Sequence, residues 1–568
     1  MRSKKWHIRP PAPPDHLARF PDLSPLIVQI LYHRGLTEPH RVRAFLAGEV
    51  GEDTPFRLKG MHEAVTRLRA AIRAREPIAI YGDFDVDGVT ATALLVQVLR
   101  ALGARVGPYI PHRVDEGYGL NCDALSRLAS RGVRVVVTVD CGIRSIQEVA
   151  HGRWLGLDII VTDHHTVPPE LPPALAVINP KQPGCHYPFD DLAGVGLAFK
   201  LAQALLQVQQ KVPLPGPQVE VSEEEWLDLV ALGTVADVVP LVGENRSLVR
   251  RGLERLNQTR RMGLRSMMRA AGVEPGRIDT ETISYVLGPR LNAAGRLDHA
   301  MTSYHLLMSR TEEEAAGLAQ DLEEKNRRRR QLTTEMLERA RQEVMDRIPE
   351  AKLLFVAGRD YLAGIVGLVA SRLTEEFYRP AVVVELGEEE SRGSARSIPE
   401  FNIVAALDEC QEFLLRHGGH AAAAGFTVSN ADLDPLHTRL REIAARQLRD
   451  VELTPTLEID VEASLGEVNW ATHALISELA PFGQANPAPL LLSRGVAVRE
   501  GRRVGEDHLK LTLDDGRVAW DAIAFGQGAW AEALPSRVDV VYSLEVNEWR
   551  EGERWLQLNV KDLRASEG

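Results

Sequence analysis

The sequence predicts an α/β protein with two α/β domains, a long helix that joins them, and a small closed β-barrel of the OB type at the C-terminal end. Apolar β-runs alternate with helical patterns over residues 77–179, which is typical of a parallel sheet with crossover helices. Residues 311–348 contain no proline and no internal breaker except Gly317, which indicates one long helix. Short runs of alternating polar and apolar residues over 457–564 indicate the barrel.

These patterns divide the chain into five parts. The second α/β domain is indicated by strand patterns at 352–357 and 381–385 around a helical pattern at 364–376. The expected parts are an N-terminal extension at 1–70, a first α/β domain at 71–310, the connecting helix at 311–350, the second α/β domain at 351–450, and the barrel at 451–568.

Composition limits the class of protein. Of the 568 residues, 44% are hydrophobic and 26% are charged, as in a globular protein with several cores. The chain has no signal-like apolar region near its start and no run of about 18 apolar residues, so we expect it to be neither secreted nor membrane-spanning. Its four cysteines have no metal or redox spacing, which fits a reducing cytoplasm without disulfides. The net charge of −12 counts weakly against a nucleic-acid binder, unless bound cations cancel part of it.

Four short acidic segments stand out, and each closes a predicted β-strand. In an open α/β sheet the carboxyl ends of the strands face one crevice, so distant segments can bring their side chains to one point. Any one of these segments has an ordinary explanation, such as a calcium loop, a polar turn or a strand end, but their combination predicts a metal site. The four segments are 78–88, 135–142, 159–165 and 233–240.

The ligand types favour two divalent ions. Asp83, Asp85 and Asp87 alternate at a spacing of two, after which Gly88 is expected to turn the chain into a helix over 89–102. Carboxylates this close repel each other unless cations compensate them. Oxygen ligands with an occasional imidazole favour Mn²⁺ or Mg²⁺ over Zn²⁺, and six ligands suffice for two ions about 3.5–4 Å apart. The candidate ligands are Asp83, Asp85, Asp87, Asp140, His164 and Asp237.

The Asp-His-His triplet at 163–165, together with these companions, resembles the DHH phosphoesterase superfamily. Within it, the chain resembles the RecJ family of bacterial single-strand-specific exonucleases over nearly its whole length. The resemblance implies a DHH catalytic domain followed by a DHH-associated accessory domain. It continues in the segments 288–297, 393–397, 418–426 and 481–487.

The resemblance also implies roles for the site residues. One ion would be held by Asp83, Asp85 and Asp140. The other would be held by Asp87, Asp140, His164 and Asp237. The implied catalytic residues are His165, which donates to the phosphate, Asp163, which orients an imidazole, and Arg296. The residues expected to bind substrate are Arg113, Asn292, Ser394 and Arg396 in an expected turn, Gly419 and His420.

The implied function is a metal-dependent 5′→3′ exonuclease that hydrolyses single-stranded DNA to mononucleotides in recombination and DNA repair. Its expected partners are single-stranded DNA, a single-strand-binding protein and a RecQ-type helicase, and we expect a cytoplasmic monomer. Two alternatives stay open: a phosphodiesterase for short oligonucleotides or cyclic dinucleotides, and a non-catalytic replication-fork scaffold. The complete ligand set favours an enzyme, and the terminal barrel favours the exonuclease. Aromatic residues of the barrel could stack on bases or pack in its core, namely Trp520, Phe525, Trp530 and Trp549.

Overall fold

The chain divides into two compact units. The larger unit comprises residues 51–240 and 244–453, and the smaller unit comprises residues 1–50, 241–243 and 454–568. The structure is a computed structural model, and it describes residues 4–48, 54–113, 115–215, 222–347, 351–548 and 554–566.

A parallel five-stranded sheet forms the first half of the larger unit, as the alternating strand and helix patterns predicted. The first strand of this sheet in the sequence is Ile78–Gly82. The second, Val106–Tyr109, pairs with one side of it, and the third, Val135–Val139, pairs with its other side. The strand order therefore reverses between the first and the third of these strands, which is where open α/β sheets bind ligands. In spatial order the strands are Val106–Tyr109, Ile78–Gly82, Val135–Val139, Asp158–Thr162 and Ala176–Ile178.

Helices cover this sheet and extend the unit beyond it. The helix Val86–Ala101 is buried over most of its length and contacts both Gly194–Lys211 and Leu227–Ala236. The other helices of this half are Met61–Ala74, Cys122–Ser130, Ile146–Trp154, Gly243–Asn257, Met262–Ala270, Thr280–Thr282, the π-helix Ile283–Leu287, Gly288–Leu297 and Met301–Met308, with single 3₁₀ turns at Pro55–Arg57 and Glu223–Trp226.

Two local predictions in this half were wrong. The segment before Asp237 is the helix Leu227–Ala236 and not a strand. A helix that is buried on every side has the same continuous apolar pattern as a buried strand, so periodicity does not separate them. The helix expected over 89–102 begins earlier, at Val86, because the Asp85 side chain caps it by accepting from the Gly88 amide. Gly88 thus lies inside the first turn, where a Cβ atom would come within 2.6 Å of the Asp83 backbone.

The second half of the larger unit contains the predicted long helix and a second sheet. The helix spans Glu312–Arg347, and Ile348, the expected last residue, lies outside the described residues. It contacts Gly288–Leu297 on one side and Val366–Phe377 on the other, so it joins the two halves. The sheet order is Leu414–His420, Ala423–Ser429, Glu390–Arg396, Ala381–Glu385 and Leu354–Gly358, and the remaining helices are Ile403–Asp408, Leu433–Gln447 and the 3₁₀ turn Gln411–Phe413.

The expected turn at Ser394 and Arg396 is a strand. Glu390–Arg396 pairs with a strand on each side, antiparallel to both. Because side chains alternate along a strand, Ser394 and Arg396 share one face while Ala395 packs into the core on the other. The small residues around Gly393 suggested a turn, but this glycine admits the Phe426 ring, which would lie 2.1 Å from a Cβ atom.

The smaller unit is built around the expected closed barrel. Its sheet closes through the additional pairing of Leu491–Val504 with Arg537–Glu548. The first residues of the chain join this unit, because Lys5–Ile8 pairs with Thr456–Ile459 and the helix Pro25–His33 packs into the barrel core. The other elements are the strands Val461–Glu462, His508–Asp514, Ala519–Ala524 and Arg554–Ala565, the helices Pro14–Leu17, Pro39–Ala47 and Trp470–Ser477, and the 3₁₀ turns Leu465–Glu467 and Gly528–Glu532.

Among the aromatic candidates of the barrel, Trp520 and Trp530 pack against its core, whereas the Phe525 side chain is exposed. Trp549 lies outside the described residues. All four cysteines carry free thiols, as expected. Across the described ranges, every helix is too short or too polar to cross a lipid bilayer.

Candidate metal centre

The acidic side chains meet at the carboxyl edge of the parallel sheet. Asp83 follows the strand Ile78–Gly82, and Asp140 follows the neighbouring strand Val135–Val139, so they flank the point where the strand order reverses. Asp140 has a φ of +61°, a left-handed conformation that is uncommon for a residue with a side chain. Such strain concentrates at functional sites.

Three groups of side chains place their ligand atoms within 4.8 Å of one another. His164 connects two of these groups, because its Nε2 atom lies 3.1 Å from Asp140 Oδ1 and 3.4 Å from Asp237 Oδ2. The structure therefore brings all six predicted ligands to one place. The groups are Asp83 with Asp85 and Asp140, Asp87 with His164 and Asp237, and Asp140 with His164 and His165.

Four ligand atoms in these groups are buried and have no hydrogen-bond partner within the part of the chain that the structure describes. Burying a polar atom without a partner is costly, so native structures contain few such atoms. Four at one point indicate a missing partner that accepts lone pairs, and a divalent cation does so. The residues present therefore fit a metal site. The atoms are Asp83 Oδ1, Asp140 Oδ1, His164 Nε2 and Asp237 Oδ2.

The pKa values of the carboxyl groups also indicate a cation site. Burial, followed by the charge of neighbouring carboxylates, raises the pKa of Asp83, Asp140 and Asp237 well above the usual value. The same causes raise the pKa of Asp87 to about 7. A cation bound among these carboxyl groups would favour their charged forms, so metal binding would offset their mutual repulsion.

Asp87 is held by the start of the helix Gly194–Lys211. Its Oδ2 accepts from the Gly194 amide at 2.6 Å, and its Oδ1 accepts from the Val195 amide at 2.7 Å. The approach requires glycine, because a Cβ atom on Gly194 or on Gly233 would lie 2.9 Å from an Asp87 oxygen. A helix N-terminus favours a carboxylate, so this aspartate is fixed before any ion binds.

The two adjacent histidines differ in their surroundings. Burial, and then the charge of His165, lowers the pKa of His164 to about 3, so this imidazole is neutral and can act as a ligand. The Lys181 ammonium group donates to the His164 carbonyl at 2.8 Å and fixes the backbone there. His165 Nδ1 lies 2.7 Å from Asp163 Oδ1. Burial alone would lower the pKa of His165, but this hydrogen bond and the negative charges of Asp163, Asp83 and Asp85 together outweigh burial and raise the pKa.

Asp163 is buried and fully engaged. It accepts from the His165 amide and from the Ile143 amide, in addition to the His165 ring. Burial on its own would raise the pKa of Asp163, but the His165 hydrogen bond, the charges of both histidines and the Ile143 amide together lower it below the usual value. Asp163 thus orients its neighbour. The Tyr118 hydroxyl lies 3.3 Å from His165 Nδ1 and donates to the Asp140 carbonyl, so it joins this network as well.

Three predicted arginines approach the centre from separate segments. Burial, and then the charge of Arg113, lowers the pKa of Arg296 to about 9 and also lowers the pKa of Arg396. The Arg113 guanidinium lies over the Phe84 ring, 4.7 Å from its centroid. These guanidinium groups are close enough to repel, which indicates a place prepared for an anion.

The remaining predicted site residues lie beside groups that have already been described. Arg396 donates to the Ser394 hydroxyl at 3.1 Å, and the His420 ring stacks on His165 with 6.2 Å between centroids. Gly419 has a φ of +149°, and a Cβ atom there would lie 2.3 Å from the Ala423 carbonyl, so the tight hairpin itself requires this glycine. Asn292 accepts from the Val86 amide at 3.1 Å through its carbonyl oxygen.

Sequence reasoning missed Tyr118, Lys181 and Gly194. Tyr118 and Lys181 lie in loops without a strand or helix pattern to place them. Gly194 could have been found, because small residues that begin an apolar helix, Ala-Gly-Val-Gly at 193–196, indicate close backbone contact.

Comparison with known families agrees with this fold. The N-terminal domain of the DHH family matches residues 77–234, the DHHA1 domain matches 350–446, and the RecJ OB domain matches 459–562. The chain therefore has the architecture of a DHH protein whose DHH domain carries an acidic cluster at its sheet edge.

Whole-chain similarity narrows this class. The chain is 40% identical over 552 residues to the single-stranded-DNA-specific exonuclease RecJ of Bacillus subtilis. The matched region covers 96% of this chain and 68% of that protein. A crystal structure of RecJ in complex with Mn²⁺ from Thermus thermophilus matches with a TM-score of 0.84 and 32% identity, covering 99% of this chain and 80% of that one. The Mg²⁺ complex from the same organism has a TM-score of 0.78 at 31% identity, covering 99% and 79%. This chain belongs to the RecJ family.

Proposed function

We propose that this chain is a metal-dependent exonuclease that hydrolyses single-stranded DNA from the 5′ end to mononucleotides, in recombination and DNA repair. The observation that carries the proposal is the cluster of buried ligand atoms that lack hydrogen-bond partners among the described residues, in a chain that resembles RecJ exonucleases over nearly its whole length. We also propose that residues 71–310 and 351–450 serve as catalytic and accessory domains, and that 451–568 bind the single strand.

The ligand groups support two divalent ions, Mn²⁺ or Mg²⁺. When bound, such ions stabilise the charge that develops on a reacting phosphate and lower the pKa of the attacking water. Asp140 belongs to two of the three groups, which makes it the proposed shared ligand. We assign Asp83, Asp85 and Asp140 to one ion, and Asp87, Asp140, His164 and Asp237 to the other.

His165 is proposed to donate to the phosphate. Because its Nδ1 faces Asp163 at 2.7 Å, Nε2 is the nitrogen that can face the substrate. Asp163 holds the ring in this orientation, and its own position is fixed by backbone amides. The stacked His420 ring limits how far the imidazole can turn.

The substrate is proposed to be held by the arginines and by neutral donors around them. Arg113 and Arg396 with the Ser394 hydroxyl would bind a terminal phosphate, and Arg296 would bind a phosphate nearer the ions. The carbonyl oxygen of Asn292 is engaged by the backbone, which leaves its amino group to donate to the substrate. At Gly419 and His420 the strand backbone would approach the nucleotide.

Digestion of end-labelled oligonucleotides tests the proposal. Single strands labelled at the 5′ or the 3′ end, and the matching duplex, are incubated with the protein in Mn²⁺, Mg²⁺ or EDTA. We expect immediate release of the 5′ label as mononucleotide, slow digestion of duplex, and no product in EDTA. Early release of the 3′ label would reverse the polarity. Faster hydrolysis of cyclic dinucleotides would favour the phosphodiesterase, and binding of single strands without hydrolysis would favour a scaffold.

The resemblance implies further properties that we include in the proposal. A single-strand-binding protein and a RecQ-type helicase would supply the substrate strand, and the protein would act as a cytoplasmic monomer. Stimulation of digestion by either partner, on a duplex with a short single-stranded end, is the measurement that checks the first part. Sedimentation of the purified chain checks the second.

A further inference from the structure

Buried polar residues begin the helix Gly243–Asn257. Glu244, Asn245 and Arg246 are 8%, 0% and 2% exposed, although none of them belongs to the ligand set described above. Burial of consecutive polar side chains is costly unless each one has partners. Their partners therefore show what these residues hold in place.

The side-chain amide of Asn245 joins two loops. Its Nδ2 atom donates to the Asp191 carbonyl at 2.6 Å and to the Pro240 carbonyl at 3.0 Å. Both partners are acceptors, so only a nitrogen with two hydrogens can face them. The opposite orientation of the amide would lose both bonds, because the buried Oδ1 atom would then face two carbonyl oxygens.

One of these loops leads to a residue that holds a candidate metal ligand, and the other leads to a candidate ligand itself. Asp191 lies three residues before Gly194, whose amide donates to Asp87. Pro240 lies three residues after Asp237. One amide group therefore spans the segment that fixes Asp87 and the segment that carries Asp237.

The segment after Asp237 needs such a restraint. Val238 has a φ of +60°, a conformation that β-branched residues strongly disfavour, and its side chain is 64% exposed, so core packing does not hold it. Strained backbone persists only where the surroundings fix it. The Asn245 bond to Pro240 supplies a fixed point two residues further on.

Glu244 fastens the same helix to the neighbouring element. It forms an ion pair with Lys200 of the helix Gly194–Lys211, and it accepts from the Tyr187 hydroxyl at 2.6 Å. The start of the helix Gly243–Asn257 is therefore anchored to the helix whose N-terminus binds Asp87. Because these contacts fix the start of the helix, Asn245 holds the segment after Asp237 in a fixed position.

We propose that Asn245 is a positioning residue that sets the separation of Asp87 and Asp237 and thereby the affinity of one ion site. The inference rests on the proposed two-ion function. Asp87 and Asp237 share one ligand group with His164, whereas Asp83, Asp85 and Asp140 form another on segments that Asn245 does not contact. Loss of the Asn245 bonds therefore weakens one site and leaves the other.

Binding of Mn²⁺ to the full chain stripped of metal tests this selectivity, with the free Mn²⁺ measured by electron paramagnetic resonance and the heat by calorimetry. Asn245→Asp keeps the shape but replaces both donors by an acceptor. We expect two tight sites in the unsubstituted chain. In the variant we expect one unchanged site and one weakened about 10- to 100-fold, the usual effect of removing a residue that orients a ligand.

A matched control lies in the same helix. The Asn257 amide also donates to two carbonyls, those of Leu253 and Ile278, both at 2.9 Å, but neither segment carries a candidate ligand. Asn257→Asp is therefore expected to leave both Mn²⁺ affinities unchanged, even if it lowers the melting temperature. Asn245→Ala, which removes the donors without adding a charge, decides the question if Asn245→Asp does not fold.

The outcomes separate the two proposals. Fewer than two Mn²⁺ ions on the unsubstituted chain refute the two-ion site, and the positioning role with it. Two ions on the unsubstituted chain and equal affinities in the Asn245 variants refute the positioning role alone. Equal weakening of both sites also refutes it, since a general loosening of the fold explains that result.

Discussion

Two buried carboxylates of the larger unit, Asp228 and Asp140, show opposite ways of keeping a charge inside a protein. Asp228 accepts from Arg261 Nε through both oxygens, at 3.0 and 2.8 Å, and also from the Thr259 hydroxyl and the Leu229 amide. Asp140 has other carboxylates as neighbours and an Oδ1 atom with no hydrogen-bond partner among the residues that the structure describes. Both are almost completely buried. The first site is complete in the protein alone, and the second is completed by a cation.

This difference separates structural charge from functional charge. A buried ion pair that satisfies all its atoms fixes the helices around it and needs nothing else. A buried cluster of like charges is unstable by itself and persists because a ligand compensates it. The arginines divide in the same way, since Arg261 pairs with a carboxylate, whereas within the described part of the chain Arg396 donates to neutral oxygens.

The largest effect is expected on hydrolysis. Asp140→Ala should reduce the rate by about a thousandfold or more, because loss of ions removes several kcal/mol of transition-state stabilisation and each 1.36 kcal/mol is about tenfold. Asp83→Ala should retain more activity, because Asp83 belongs to one ligand group and Asp140 to two. Rates on a 5′-phosphorylated single strand check this order. Equal residual rates in two folded variants would contradict the shared-ligand assignment.

Much of this site follows from the sequence, for a physical reason. The alternation of strand and helix patterns predicted a parallel sheet, and adjacent strands of such a sheet end at the same edge. Asp83 and Asp140, which each follow a strand, were therefore expected to lie close together. Asp237 was grouped with them although its segment is a helix, so the motif was more informative than its predicted secondary structure. The place of a short acidic motif in the fold can therefore be predicted correctly even when the element that carries it is assigned wrongly.

Other features did not follow from the sequence. The Asn245 bonds join three segments that are separated by up to 54 residues, and a single buried asparagine has no local pattern. The start of the chain was expected to be an extension, but Lys5–Ile8 pairs with a strand some 450 residues away. Such pairings depend on tertiary contacts, which periodicity does not report.

Stability should distinguish the two buried carboxylates directly. In EDTA, Asp228→Ala should lower the free energy of unfolding by about 3 kcal/mol, because it leaves the half-buried Arg261 without its carboxylate partner. Asp140→Asn should raise it by roughly 1 kcal/mol, because it removes a repelled charge. Urea unfolding followed by circular dichroism measures both. A loss of stability in both variants would show that Asp140 is also a structural charge.

Addition of metal should stabilise the unsubstituted chain, because the cation offsets the repulsion that Asp140 experiences in EDTA. A ligand at 100 times its dissociation constant stabilises the folded state by about 2.7 kcal/mol for each site. We therefore expect Mn²⁺ to raise the melting temperature of the unsubstituted chain and of Asp228→Ala by similar amounts, and to raise that of Asp140→Ala much less. A scanning fluorimetry titration against EDTA checks it. An equal rise in Asp140→Ala would place the ion elsewhere.

The smallest effect concerns Arg396, which has no carboxylate partner in the ranges that the structure describes. Arg396 and Ser394 share one face of a strand, and burial, followed by the charge of Arg113, lowers the Arg396 pKa, so an anion bound there would stabilise the charged guanidinium group. A terminal 5′-phosphate would supply this anion through charge-assisted bonds of about 1.5 kcal/mol or more, which is roughly tenfold in rate.

Arg396→Ala should therefore slow digestion of 5′-phosphorylated strands about tenfold and narrow the difference between 5′-phosphate and 5′-hydroxyl ends. Arg392→Ala is the control, because Arg392 lies on the same face of the same strand but is exposed and further from the centre. It should leave the ratio of the two rates unchanged. Steady-state rates on the two substrates decide between the roles: an equal loss on both ends would mean that Arg396 grips the backbone generally and that the end of the strand is sensed elsewhere.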